Sequence, residues 1–394
     1  MRIALFLFII FLLLTGAAAA SPPAASPAAA PSEEDIASQL VETIPLDEVN
    51  NFIRKVNREM NEDIPLLNGQ TIRNMASQGV TLNWEGLKQA LYTRLFQEFA
   101  ANSHLLAKLL FLAVLCALLQ NLQSSFEHSA TSQLAYSVCY IFLAVLALNA
   151  FYNALDLARV TVGNMVGFMQ ALLPLLISLL AGVGAMTSAA LFTPLMLFVI
   201  STISVVVKDV VLPLLFLAAV LQCVNLLSEK YQVGNLCGLL RQSGMVVLGL
   251  VLVVFVGIIT IQGIAGGVAD GIALRTAKFA TATFIPVVGK MFADTVEVVM
   301  GASLLLKNAI GVFGIVTVLT LCAFPLVKLA SLIVIIKIAG ALVQPMGDER
   351  MAKCLDSMGD NLLLVFGGVL AVALMFFLAI TMIVGVGSVT MMMR

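Results

Sequence analysis

The sequence predicts an all-α, polytopic helical membrane protein of about eight or nine spans, and three observations carry that reading. Hydrophobic residues fill 61% of the 394 positions and charged residues only 11%, whereas soluble domains carry about 25% charged residues. The apolar stretches are near-continuous and on the order of 20 residues long, the length a helix needs to cross a hydrocarbon core of about 30 Å. They show no alternation of apolar and polar residues, so a barrel is excluded and helices remain as the way to satisfy the backbone in lipid.

The chain opens with Arg2, an apolar run from Ile3 to Leu14, Thr15-Gly16 and the small residues Ala17 to Ala20. A positive start, a short apolar core and an A-x-A site predict a signal peptide over residues 1–20, cleaved after Ala20. A Pro/Ala linker occupies 21–31. Residues 32–101 then form a small exported, extracytoplasmic region of amphipathic helices. Leu46, Val49, Ile53, Val56 and Met60 recur at spacings of three and four, placing one apolar stripe on a helix. Asp47 and Glu48 open that helix and Arg54, Lys55 and Arg58 close it, each sign at the favourable end of the macrodipole. A second helix is expected after Asn83, with Trp84, Leu87, Leu91, Leu95 and Phe99 on one face. A region this short has a marginal core of its own. Its stripes are expected to pack on each other, on the membrane or on a partner.

Residues 102–394 form the multi-span membrane domain. Apolar runs place spans near 105–122, 134–153, 165–185, 189–207, 210–227, 245–264, 303–322, 325–343 and 361–386. Lys208 and Asp209 read as an ordinary loop pair between two of them, and Lys328 and Lys337 as side chains that snorkel along their helix. Between Val268 and Leu306, two apolar pieces too short to cross flank Pro286 and three charges, which predicts a re-entrant or broken helix. Pro174 and Pro213 have the same spacing as Pro286 and Pro325. Each second member leads into a polar loop, Ser228-Glu229-Lys230 or Asp348-Glu349-Arg350, followed by one more apolar run. An internal duplication of about 165–264 and 275–386 is therefore a candidate.

Net charge is −1, which offers no basic field for nucleic acid. The six cysteines are scattered and mostly within apolar runs, so neither a disulfide framework nor a zinc site is expected. His104 and His128 are the only histidines, and neither has a second histidine one turn away. No nucleotide-binding loop, metalloprotease motif or nucleophile elbow occurs. Ser243-Gly244 lacks a histidine to activate it, and Gly263, Gly266, Gly267 and Gly271 follow an apolar span rather than a soluble strand. The expectation is a protein that is not an enzyme and needs no cofactor or metal. Chemistry within lipid points instead to Lys290, Asp294 and Glu297, at i, i+4 and i+7 on one helical face, with Thr283 further back. Charges in the membrane face a cavity or a partner by default, so these four are the candidate pore- or partner-facing residues. The competing reading is an interfacial helix whose charges pair among themselves.

Four strings point further: Leu173 to Ala185 (LPLLISLLAGVGA), Gly267 to Phe279 (GVADGIALRTAKF), Gln344 to Arg350 (QPMGDER) and Met375 to Thr381 (MFFLAIT). In that order they resemble the stage III sporulation protein AE family of endospore-forming bacteria, with the likeness running from about Leu172 to the carboxyl terminus. The resemblance implies a subunit of the channel that links mother cell and forespore, placed in the mother-cell membrane around the forespore. It implies partners from the same operon, among them an ATPase and ring-forming membrane proteins, and a forespore membrane protein across the intermembrane space. It supplies no catalytic motif. Two other readings stay open on the residues alone: a self-sufficient secondary transporter or permease, and an assembly platform without a conduit of its own.

Overall fold

The computed structural model describes residues 46–60, 66–68, 70–72, 84–125, 130–227, 233–284, 288–346 and 349–392. Nine α-helices occur among them: α1 (Asp47–Met60), α2 (Trp84–Ala101), α3 (Ser103–Ser125), α4 (Ala130–Gly182), α5 (Met186–Val205), α6 (Leu212–Leu227), α7 (Gly234–Phe284), α8 (Val288–Val343) and α9 (Glu349–Met392). The described residues contain no strand.

The span count is the main correction. Five helical stretches are long and apolar enough to cross a membrane, or six if the pair Tyr92–Ala101 and Ser103–Leu118, bent by 46°, is one span. Helix α4 runs for 53 residues straight through Asp156, Arg159 and Pro174, so the expected spans 134–153 and 165–185 are one rod of roughly 80 Å. Helix α8 likewise passes through Pro325 without ending, merging 303–322 with 325–343. A proline removes one backbone bond, and in a packed bundle neighbours and local adjustment absorb the loss. Lys208 and Asp209 are not in a loop either. They sit in a π-helical turn, Val206–Val211, that joins α5 to α6 without interrupting the helix. The expected re-entrant or broken helix falls where two rods end: α7 continues to Phe284 and α8 starts at Val288.

The rods α4, α5–α6, α7, α8 and α9 alternate in direction and share one core, to which Phe168, Leu176, Phe313, Met358 and Phe376 contribute. At one end Tyr140 Oη donates to Cys223 O at 3.2 Å, and the Cys223 and Cys354 thiols touch at 3.3 Å. At the other end α4 turns into α5 at Gly184, whose φ of +89° is strained for any residue with a side chain. The Gly184 N–H bonds Ala181 O and the Ala185 N–H bonds Leu180 O, so the turn closes the exposed carbonyls of the helix end. The amino-terminal parts of α7 and α9 lie at the same end, since Arg241 and Asp360 within them are 4.0 Å apart. That is the one geometric consequence of a parallel duplication visible here. The two candidate copies differ in that α5–α6 carries a π turn where α8 is regular.

Helix α1 uses its apolar stripe against the bundle: Val49, Ile53 and Val56 are buried and Phe52 lies on Gly167 and Phe168. Asn50 fixes the following chain by exchanging two 2.8 Å bonds with the backbone of Leu67. Helix α2 reaches α8, with the Arg94 guanidinium 5.2 Å from the Phe324 ring centre.

Candidate intramembrane polar site

Two buried ionisable groups lie at the α4–α5 turn end of the bundle, and the sequence reading singled out neither. Asp270, on α7, is 1% exposed and Lys307, on α8, is fully buried. The α4–α5 turn leaves the first amides of α5 without helical acceptors. Asp270 supplies them across 83 residues of sequence: Oδ1 accepts from Thr187 N at 2.8 Å and Oδ2 from Ser188 N at 3.1 Å. A carboxylate at the positive end of a helix is favourable. The approach is close because Gly266, one turn earlier on α7, has no side chain; a Cβ there would overlap Ser188 Oγ. Lys307 Nζ donates to Val384 O on α9 at 2.8 Å, and Gly311, one turn on, leaves room for Val384. Among the described residues the buried Ser188 Oγ and Asn308 Oδ1 have no hydrogen-bond partner. This end therefore carries an acid, a base and two unmatched polar atoms in an apolar surround. The sequence signal for them was a single Asp or Lys bordering a long uncharged run, 242–269 and 308–327.

A second cluster occupies the opposite end. Lys337, read as a snorkelling side chain, has ionic partners: its Nζ is 2.5 Å from Asp356 and 2.7 Å from Asp360, and Asp360 also faces Arg241. The group ties α7, α8 and α9 together, with Gly359 leaving space for the lysine stem.

The expected candidates are placed only in part. Thr283 lies in the last turn of α7, and Lys290, Asp294 and Glu297 in the first turns of α8; their side chains lie outside the described residues. The loose glycine series is helical, and Gly263 and Gly266 serve close packing against Met382 and Ser188. No group of three or more His, Cys, Asp or Glu among the described residues could hold a metal ion.

A bundle of long apolar rods with ionisable side chains held inside it defines the class: a polytopic helical membrane protein. The sequence profile described as "Stage III sporulation protein AE" matches residues 68–387. The chain is also 38% identical over 361 residues to the stage III sporulation protein AE of Bacillus subtilis (strain 168), covering 92% of this chain and 90% of that protein. It belongs to the stage III sporulation protein AE family. The likeness thus begins some hundred residues before Leu172, where the four strings placed its start. No solved structure matches the chain.

Proposed function

We propose that this protein is a non-catalytic membrane subunit of the channel complex between mother cell and forespore, acting in the mother-cell membrane during endospore formation. The observation that carries the reading is the family match over 68–387, nearly the whole helical bundle. Energy for transport then comes from a partner, for which an ATPase of the same operon is the candidate. Ring-forming membrane proteins and a forespore membrane protein complete the assembly, with the amino-terminal region extracytoplasmic. Thr283, Lys290, Asp294 and Glu297 are proposed to face the conduit or a partner. The test is complementation: in an endospore former lacking its own family member, this chain should restore spores and retain the operon ATPase on affinity purification. Restored spores without any retained partner would sink the subunit reading.

A self-sufficient transporter is the second reading, favoured by Asp270 and Lys307 in the apolar interior. Solute flux in vesicles containing only this chain would establish it in place of the first.

A further inference from the structure

The rods are about twice as long as a hydrocarbon core is thick, so lipid can cover only part of each. Neighbouring side chains fix how the rods align. Gly182 lies beside Ser303 and Gly314 beside Leu172, which registers α4 with α8. Gly266 lies beside Ser188 and Gly184 beside Leu274, registering α7 with α5. Gly263 beside Met382 and Arg241 beside Asp360 register α7 with α9.

With this alignment, charged residues of three rods fall at one level. Arg159 donates to Lys208 O at 3.3 Å, and Lys208 Nζ reaches over Gly163. Asp156 and Asp209 are their near neighbours in sequence, and the α4–α8 register brings Lys328 level with them. Helix α2 sits close to the same level, against Phe324, whereas α1 lies against Gly167 and Phe168, about 12 Å further along α4, with Arg54 and Arg58 exposed. On the loop side of this belt charges continue. Arg241, Asp360, Asp356 and Lys337 follow within about 10–16 Å along α7, α9 and α8, and their side chains are 33–61% exposed.

On the other side the described residues of the five rods carry no exposed charge until Arg275 on α7, close to the level of the Gly184 turn, and Glu297, Asp294 and Lys290 stand in the first turns of α8. Residues 160–182 of α4, 186–207 of α5, 248–269 of α7, 308–327 of α8 and 367–392 of α9 are all uncharged. Each is 20 residues or more, at least about 30 Å of helix. The two charges near its far edge, Asp270 and Lys307, are buried.

We infer that the bilayer surrounds only this half of the bundle, between the belt and the α4–α5 turn, and that the other half stands outside the hydrocarbon. Lipid forms a slab, so the helix with the shortest uncharged run limits its thickness. Beyond the belt that run is less than half a hydrocarbon thickness; within the proposed half it is a full one. Five helices then cross, and α3 and α6, read from sequence as spans, do not. The observations that compete are the exposed apolar side chains of the outer half, Phe111, Phe142 and Leu217 among them, and the exposed Arg54 and Arg58 of α1, whose Phe52 lies on Gly167.

Tryptophan depth measurements decide between the two placements. The full-length chain has one tryptophan, so Trp84→Phe gives a silent background. Into it go Phe198→Trp and Ile264→Trp in the proposed half, and Phe142→Trp and Leu217→Trp in the outer half, all at exposed positions. The proteins are reconstituted in phosphatidylcholine vesicles with or without bromine on the acyl chains. Acyl bromines should quench positions 198 and 264 several-fold and leave 142 and 217 nearly unchanged. Quenching at 142 and 217 equal to or stronger than at 198 and 264 overturns the placement, as does the absence of quenching at all four.

Discussion

Removing the carboxylate of Asp270 should cost more than removing its charge. Asp270→Ala leaves the amides of Thr187 and Ser188 without the acceptors they have at 2.8 and 3.1 Å. Ser188 is fully buried, so no water replaces the bond to its amide cheaply. An orphaned buried donor costs about 1–3 kcal/mol and the loss of a favourable helix-end charge about 0.3–1 kcal/mol. Together these give roughly 2–5 kcal/mol for Asp270→Ala, counting the Thr187 amide at the low end. Asp270→Asn keeps one acceptor oxygen, which can serve Thr187 N and, at 3.3 Å, Ser188 N, but loses the charge and the second acceptor, so it should cost less than alanine and more than the charge alone. The six cysteines, five of them buried, provide the assay. A thiol-reactive fluorophore lights up as the detergent-solubilised protein melts. The alanine variant should melt clearly below wild type, with the asparagine variant between them. An alanine variant that melts with wild type would show that the α5 amides find other partners and that Asp270 does not hold the turn.

The same assay reads three further outcomes. Lys307→Met should melt at or above wild type, because a side chain of similar length replaces a fully buried cation with a single carbonyl partner; a marked loss would mean the Val384 bond outweighs desolvation. Gly266→Val should cost about 1–3 kcal/mol by forcing α7 away from Ser188, whereas Gly249→Ala, open on that side, should be neutral or slightly stabilising. Lys337→Ala should destabilise measurably by leaving Asp356 and Asp360 adjacent without their shared cation, while Lys353→Ala, which breaks an exposed pair with Glu349, should not.

What was legible in the sequence was the solvent each segment prefers, and what was not was where the backbone stops. The α1 stripe Val49, Ile53 and Val56 was read correctly as a buried face, because a helical period and a partner surface are both local properties. Asp156 and Arg159 fall between two of the expected spans, and Lys208 and Asp209 were read as a loop pair, since hydropathy drops there. Yet a charged side chain breaks no backbone bond, and the helix continues through all four. Of the polar sites, Lys337 was noticed without its partners, which come from another rod. Asp270 and Lys307 matter because of Thr187 and Val384, contacts that no spacing along the chain encodes. The Cys223–Cys354 contact is likewise tertiary, although reading each cysteine as a small apolar residue was sound.

The π turn at Val206–Val211 has a consequence for rotation. A π turn amounts to one residue more than an α-helix would use, so it sets everything after it back by about 100° and 1.5 Å relative to an uninterrupted helix. Leu212, Leu215, Ala219 and Cys223 face the core of the bundle only with that offset. Closing the turn into ideal α geometry with every residue kept would swing this row toward the surface and carry Cys223 away from Cys354, whereas deleting one residue between Val206 and Val211 would let α geometry return with the row still facing the core. The turn works as a phase adjuster, letting one continuous rod address two sets of neighbours whose faces would otherwise be out of step.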